Sequence, residues 1–588
     1  MCGICGVLKF DNQNFLNSDL TNLMDSISDR GKDSHGIFKN EDIFLGHHRL
    51  AIIDISNNSN QPMQVDNYVI VFNGVIYNYI DLKDELIKKG HVFKSSGDTE
   101  VIIRCYMEYG NKCVEKLDGV FAFCIYDTVN KTILLARDRV GIKPLYYSVE
   151  KNKFIFSSSM KGILNNKNKK EINPVALHYQ FTLHSVVPAP NTIIDGINKL
   201  QPGYTLNVTK SGSMYSNKYF NVNETEIVNH SDDEIINNVD YLLNKAIEKR
   251  MSVADVPVGI LLSGGLDSSL ITAMSKKYKE DIKTYSIGFN TVNEEIGNEF
   301  YYSDMVVKDF NTNHEKYNIS DEDLFNNLDL VISKMSEPMF GQDSSAFYLL
   351  SRNVSSSSKV VLSGQGADEV FGGYFWYEKI MNQKNLNDTS TLSKFYFDRT
   401  FDNYQKAINK KYINNNYVFN DIENKFKEMD QQLSTLDKVF RLELSTLIID
   451  DPVKRVDNMT MAHALEARVP FLDIDLIKFM LSIEGKRKIS KTSKYYLKKV
   501  SENYLKKEII YRDKFYFPVP PLKIIKNRFY DYCKNILTSD VARSRGLFEK
   551  SYINNLLDKP NDCFTNLKGN ELWHFTLLER WLQLNIEQ

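Results

Sequence analysis

No apolar run in this chain approaches the ~20 residues a membrane-spanning helix needs, which argues against a transmembrane protein. Charge of one sign is also missing. A net charge of −2 gives no global basic field of the kind nucleic acid recruits. The seven cysteines are an odd, scattered set that fits a reducing compartment better than a disulfide framework. The first residues carry no basic stretch, and their apolar run is too short for a secretory signal. These absences predict a cytoplasmic protein with neither membrane nor nucleic acid as partner. What is left is 42% hydrophobic and 25% charged, an ordinary globular composition. The length, 588 residues, suits about two to four domains.

The chain is organised around Val258-Gly259-Ile260-Leu261-Leu262-Ser263-Gly264-Gly265-Leu266-Asp267-Ser268-Ser269. An apolar run of strand length stops at a Ser-Gly-Gly turn, and a helical pattern comes next. Glycines let successive N–H groups converge on one spot, and the helix start adds its positive end. Ser263, Ser268 and Ser269 supply hydroxyl donors, and Asp267 can hold a divalent ion against phosphates. No GxxxxGK[ST] occurs, so this is not the usual P-loop. An ordinary strand-to-helix turn would account for Gly and Ser, but not for Asp and paired hydroxyls in register with them.

At the other end, Cys2 and Cys5 form a Cys-x-x-Cys. A redox pair wants a strand before it, and a zinc site wants two more ligands; neither is present. If Met1 is removed, Cys2 becomes an N-terminal thiol beside its own α-amine, which can act as its general base. Turn-rich and strand-length stretches come after it: Ser28 to Ser34, Gly46 to Asp54, Val69 to Asn78, Ser96 to Glu100, Leu117 to Phe123 and Arg137 to Tyr147. They predict a sheet-rich α+β domain.

Pro-containing segments at Val186 to Pro190 and Leu200 to Gly203 read as a domain joint. An amphipathic helix is expected from Asp232 to Ala254, feeding the phosphate-loop strand. Beyond it strand and helix alternate: Lys283 to Phe289, Leu324 to Met335, Ser344 to Val354, then Lys359 to Leu362. The last ends in Ser363-Gly364-Gln365-Gly366-Ala367-Asp368-Glu369, a second glycine turn. This alternation predicts a parallel sheet with ligands at its C-terminal edge, where Asp267 and Asp368 could share Mg²⁺. The stretch from about 381 to 447 reads helical and polar, with no function attached.

Taken together, the segments from Cys2 to about Phe156 resemble the glutaminase domain of class II glutamine amidotransferases, the N-terminal-nucleophile type. Ser-Gly-Gly-x-Asp-Ser resembles the pyrophosphate loop of ATP-pyrophosphatases. With the second glycine turn, Asp451 to Ala462 and Leu465 to Asp473, it resembles the synthetase domain of glutamine-hydrolysing asparagine synthetases. The resemblance implies an N-terminal-nucleophile sandwich over residues 1–205. It implies a parallel-sheet ATP-pyrophosphatase domain with helical additions over 206–588. It makes Cys2 the nucleophile, Asn73 and Gly74 the oxyanion donors, and Arg49, Asn73, Val75 and Asp98 the glutamine site.

In the second domain it puts Leu262, Ser263, Gly264, Gly265, Asp267, Ser268, Ser269, Ile287, Ser363 and Gly364 on ATP. Gln365 and Lys494 then lie near the adenylate, with Mg²⁺ on Asp267 and Asp368. Glutamine, ATP and a small carboxylate are the implied partners, with a homodimer as an admissible assembly. Val75 stands where the family carries Glu, leaving Asp98 more of the glutamine ammonium, and Lys32 stands where it carries Pro.

The implied reaction activates a carboxylate as acyl-adenylate and aminates it with ammonia carried internally from Cys2. Ile52, Val120 and Met461 are the apolar candidates for that route. Where asparagine synthetases carry an acid, this chain has Gln365. That residue, together with Ser185 to Pro190, Trp376-Tyr377 and Phe515 to Pro520, is similar to the amidotransferases that act on N-acetylglutaminylglutamine. A capped peptide is therefore the expected acceptor, with aspartate as the alternative.

Overall fold

The computed structural model describes residues 2–292, 295–514 and 519–587. The stretch Phe515 to Pro518, part of the acceptor-related resemblance, lies outside the described residues, as does Met1.

Twelve strands build two stacked antiparallel sheets. They are β1 (Gly3–Lys9), β2 (Ser34–Lys39), β3 (Ile43–Arg49), β4 (Met63–Val65), β5 (Tyr68–Ile76) and β6 (Gly119–Asp127). The rest are β7 (Thr132–Arg137), β8 (Tyr146–Val149), β9 (Lys153–Ser157), β10 (Asn198–Lys199), β11 (Tyr204–Thr209) and β12 (Met214–Lys218). The sheet orders are β10-β8-β9-β1-β3-β2 and β12-β11-β7-β6-β5-β4. Alternation along each strand sorts the faces. Ile4, Leu8, Leu45, Val71, Ala122 and Phe156 point between the sheets. Cys5 and Val7 point out against helix Asn17–Ile27. Helices Tyr79–Lys88 and Asp98–Tyr109 cover the opposite face through Leu82, Val101 and Ile102. The result is a helix–sheet–sheet–helix sandwich. Because β11 and β12 complete its second sheet, the first unit runs on to Lys218, past the break expected after residue 205.

Five more strands, β13 (Val258–Leu261), β14 (Lys283–Phe289), β15 (Asn313–Ile319), β16 (Val360–Leu362) and β17 (Glu466–Arg468), form a parallel sheet in the order β15-β14-β13-β16-β17. The order reverses between β13 and β16, which opens a crevice at their C-terminal ends. Helix Asp232–Ser252 feeds β13; it starts at a capping box of Ser231 and Glu234 and buries Ile235, Val239, Leu243 and Ile247. Its apolar stripe at helical spacing is what the sequence shows.

The segment between 381 and 447 is helical, with Asp388–Tyr396, Phe401–Ala407, Tyr417–Glu428 and Thr435–Leu442. From there the chain stays helical through two π-helical turns, Glu443–Leu447 and Ile449–Val453, into Lys454–Met461. Pro452 sits inside the second turn. Among the described residues no helix is long and apolar enough to cross a membrane.

Candidate functional site

The residue ahead of β1 is Cys2, buried where the first sheet meets β5. Its backbone N–H donates to Asn73 Oδ1 at 3.0 Å, and its Sγ lies 4.0 Å from the Leu50 carbonyl oxygen. Arg30 Nε donates to the Cys2 carbonyl at 3.1 Å, while Arg30 Nη2 reaches Asp457 Oδ2 of the second unit at 2.9 Å. Burial pushes the Cys2 thiol up, with Arg49 pulling the other way. A neutral buried thiol needs a base, and the nitrogen nearest in sequence is its own. Cys5 leaves the strand on the opposite face, with its Sγ 3.9 Å from Met24 Sδ, so the two thiols do not form a pair. All seven cysteines are free.

With Asn73 Oδ1 engaged, Asn73 Nδ2 is buried and has no hydrogen-bond partner among the described residues, a donor available to an oxyanion. Gly74 is in tight register between β5 and β6; a Cβ there would run into the Val120 carbonyl oxygen. Val75 is buried with Leu50, Ile52 and Val120. Asp98 opens helix Asp98–Tyr109 and accepts the Ile76 N–H at 3.1 Å. Burial, outweighing that hydrogen bond, lifts its carboxyl to about 7. The Arg49 fork is engaged within the protein: Nη1 donates to Ser56 O at 2.7 Å and Asn60 Oδ1 at 2.8 Å, and Nη2 to Asp54 O. It braces the loop over the site.

At the parallel sheet, Gly264 takes a left-handed φ of +84°, and a Cβ there would lie 2.6 Å from the Ser303 nitrogen. Ser263 N–H donates to Ser268 Oγ at 3.2 Å, and Gly265 N–H donates to Ser263 Oγ at 3.2 Å. Helix Leu266–Ser275 begins with no side-chain cap, leaving its first amides to the crevice. A cavity of about 460 Å³ opens here. Leu262, Ser263, Gly265, Asp267 and Ser268 line it from the first turn, Ile287 from β14, and Ser363, Gly364 and Gln365 from the second turn. Ser269 does not line it. One residue along a helix turns about 100°, and Ser269 faces the core with no exposed surface. Gly264 shapes the turn without lining the cavity.

Lys494, itself in a left-handed conformation, stands between the two aspartates. Its Nζ is 2.7 and 2.8 Å from the Asp267 oxygens and 2.8 Å from Asp368 Oδ1. Lys514 adds a second cation, 2.5 Å from Asp368 Oδ1. Burial opposes ionisation at Asp368, but the two ammonium groups outweigh it and hold that carboxyl below the usual range. Burial holds Asp267 up against Lys494. Among the described residues no three His, Cys, Asp or Glu side chains converge as a metal cage. Two carboxylates beside a phosphate site do suit Mg²⁺, which keeps waters and takes phosphate oxygens. Lys514 was missed from sequence; its only signal is a basic residue just ahead of an aromatic stretch.

A second cavity, about 330 Å³, adjoins the first. Asp343, Gln365, Asp368 and Lys514 line both. Its own wall carries the aromatic side chains of Phe340, Tyr374, Phe375, Trp376 and Tyr396, and also the charged Glu295, Asp451, Arg455, Lys523 and Lys568. Tyr374 and Trp376 stack at 4.1 Å. Glu369 and Glu443 also face it, and burial raises them to about 7 and about 8. Arg455 lies 3.1 Å from Asp343 and also pairs with Asp451.

A buried cysteine at the head of a four-layer sandwich, joined to a doubly wound sheet with a glycine-turn crevice, defines a two-part glutamine amidotransferase. Residues 1–220 match the glutamine amidotransferase domain family and residues 238–583 match asparagine synthase, so the chain belongs to the glutamine-hydrolysing asparagine synthetase family. It is 30% identical over 627 aligned residues to asparagine synthetase [glutamine-hydrolyzing] 1 of Bacillus subtilis (strain 168), covering 100% of this chain and 97% of that one. Asparagine synthetase 3 of the same organism is 30% identical over 617 residues, covering 99% and 98%. A putative asparagine synthetase 2 of Methanocaldococcus jannaschii is 35% identical over 424 residues, covering 67% and 79%.

Proposed function

We propose that this chain makes an amide from a carboxylic acid, taking nitrogen from glutamine and driving force from ATP. Cys2 Sγ attacks the glutamine side-chain amide, Asn73 Nδ2 and the Gly74 N–H hold the oxyanion, and ammonia leaves; water then frees glutamate. In the crevice the acceptor carboxylate attacks the α-phosphorus of ATP and expels pyrophosphate. Ammonia attacks the resulting acyl-adenylate, giving amide and AMP. Lys494 and Lys514 offset phosphate charge during adenylation, and Asp267 and Asp368 would hold the Mg²⁺ that supplies further neutralisation. Ile52, Val120 and Met461 fall in one apolar cluster that spans both units, which supports an internal route for ammonia. Seven free cysteines fit a reducing, cytoplasmic setting.

Asp98 must ionise to bind the glutamine ammonium, because Val75 offers no acid. Its carboxyl is raised, so it is protonated below about 7 and charged above. Glutamine kcat/KM is therefore expected to rise with pH towards about 7, by about tenfold per unit on the acid limb. Asp98→Asn should lower kcat/KM and flatten that limb in a glutaminase assay; a limb unchanged in the variant would assign it elsewhere.

The acceptor reading comes from the second cavity, and one observation carries it: aromatic side chains, two carboxyls raised by burial and the cations Arg455, Lys523 and Lys568 line a space of about 330 Å³, with Gln365 at its junction with the nucleotide. A cavity in the range of about 300–1,000 Å³ suits an extended ligand. Gln365 both donates and accepts, which fits amides better than a second charge. N-Acetylglutaminylglutamine is expected to exceed aspartate by at least about a hundredfold in kcat/KM for AMP formation, some 3 kcal/mol. The relatives' names keep aspartate as the competing acceptor. Equal or better turnover of aspartate would make the chain an asparagine synthetase in the strict sense.

A further inference from the structure

The wall of the second cavity holds a histidine that the reaction above does not use. His184 and Ser185 are consecutive left-handed residues, with φ of +51° and +65°. For residues with a Cβ this conformation is costly, and such outliers gather where a side chain must be aimed. The turn is held by Ser185 N–H donating to Gln180 O at 2.9 Å and by Phe340 N–H donating to Ser185 Oγ at 3.1 Å.

It delivers the His184 ring to the cavity wall, with Nδ1 2.8 Å from Asp398 Oδ2. The Asp398 side chain is wholly buried, whereas the imidazole keeps 17% of its surface open. Asp398 N–H in turn donates to Thr182 O at 2.9 Å, so the two loops hold each other. With Nδ1 bound to a carboxylate, Nε2 is the polar edge left for the cavity. Asp398 comes just after helix Asp388–Tyr396, within the segment to which the sequence attached no function.

We propose that His184, oriented by Asp398, donates a hydrogen bond from Nε2 to an oxygen of the acceptor other than the carboxylate that is adenylated. It thereby selects acceptors that carry an amide or a second carboxylate at that point. This rests on the reading of the cavity as the acceptor site. The charges facing the ring are Asp398, Asp343, Asp451 and Arg455, with His574 in edge contact at 5.4 Å. Burial works against protonation, but Asp398 outweighs it and holds His184 above its ordinary range, whereas burial keeps His574 neutral.

The test uses the full chain with saturating ATP and ammonium as nitrogen source, varying N-acetylglutaminylglutamine in one arm and aspartate in the other. His184→Asn tolerates the left-handed backbone and is expected to raise KM for the acceptor turned over by about tenfold or more, with kcat within about threefold and glutaminase activity unchanged. In the parent chain acceptor kcat/KM should fall as pH rises through the His184 titration. His184→Asn should abolish that limb, and Asp398→Asn should move it to lower pH. Trp376→Leu, an aromatic-wall variant, serves as the control.

An unchanged KM in His184→Asn while Trp376→Leu raises it would overturn the proposal and leave the cavity reading intact. An unchanged KM in both would overturn the cavity reading and the proposal with it. A raised KM whose pH limb persists in His184→Asn would reduce His184 to a structural role and also overturn the proposal. The arm that responds tells an amide oxygen from a carboxylate.

Discussion

Glutamine-driven AMP formation is expected to fall to background in Cys2→Ala, by at least about a thousandfold, while synthesis from ammonium salt at raised pH stays within about twofold. The contacts of Cys2 favour such a clean separation. Its bonds to Asn73 Oδ1 and from Arg30 Nε use backbone atoms that alanine retains, so the link from the sandwich to Asp457 survives the loss of sulfur. The phosphate loop belongs to a different sheet and shares none of these groups. Raised pH matters because ammonium is not nucleophilic and only the free base can attack the adenylate. Measuring AMP with each nitrogen source side by side decides the matter. Equal loss with both would mean that the two centres are not independent.

Asp267→Asn and Asp368→Asn should each suppress acceptor-dependent pyrophosphate release by about a thousandfold or more, some 4 kcal/mol of barrier, with glutaminase activity retained. Two losses add in each variant. A site that would hold Mg²⁺ keeps only one carboxylate. Lys494, buried between the pair, keeps one of its two carboxylates, so part of its buried charge goes uncompensated. Asp368→Asn also removes one of the partners of Lys514. Normal adenylation in either variant would remove that residue from the metal site, and an unfolding curve alongside separates lost chemistry from lost fold.

Elements with strong local signals were legible in the sequence. The glycine turns, the stripe of helix Asp232–Ser252 and the parallel strands arise from patterns a few residues long, and they positioned the crevice at the edge of the parallel sheet. Failures occur where the answer lies in a third dimension. Ser268 and Ser269 look interchangeable in a motif, yet helical rotation sends one to the cavity and the other to the core. Lys514 reaches Asp368 from 146 positions away in sequence, and no local pattern marks it. The second cavity draws its wall from dispersed segments around His184, Phe340, Trp376, Tyr396 and Glu443, so no single stretch announces it. The hairpin of β11 and β12 was lost to the first unit because the Pro-containing stretch before it reads as a boundary. A proline inside a helix ordinarily ends or kinks it, and Pro452 lies inside this one. The structure instead widens the turns around it and carries the helix on.

That widening fixes an angular phase. Each π turn holds an extra residue relative to an α-helical turn, and each residue rotates the downstream part of the helix by about 100°. At the start of the first turn Glu443 faces the second cavity; downstream of both, Asp457 meets Arg30 behind Cys2. One rod therefore borders the second cavity and the cysteine site in two directions, and residue count sets the angle between them. Substitutions along 443–453 alter one wall at a time. A single-residue deletion would give a more regular helix while turning Asp457 off Arg30, so this stretch is more sensitive to a change of length than to a change of letter.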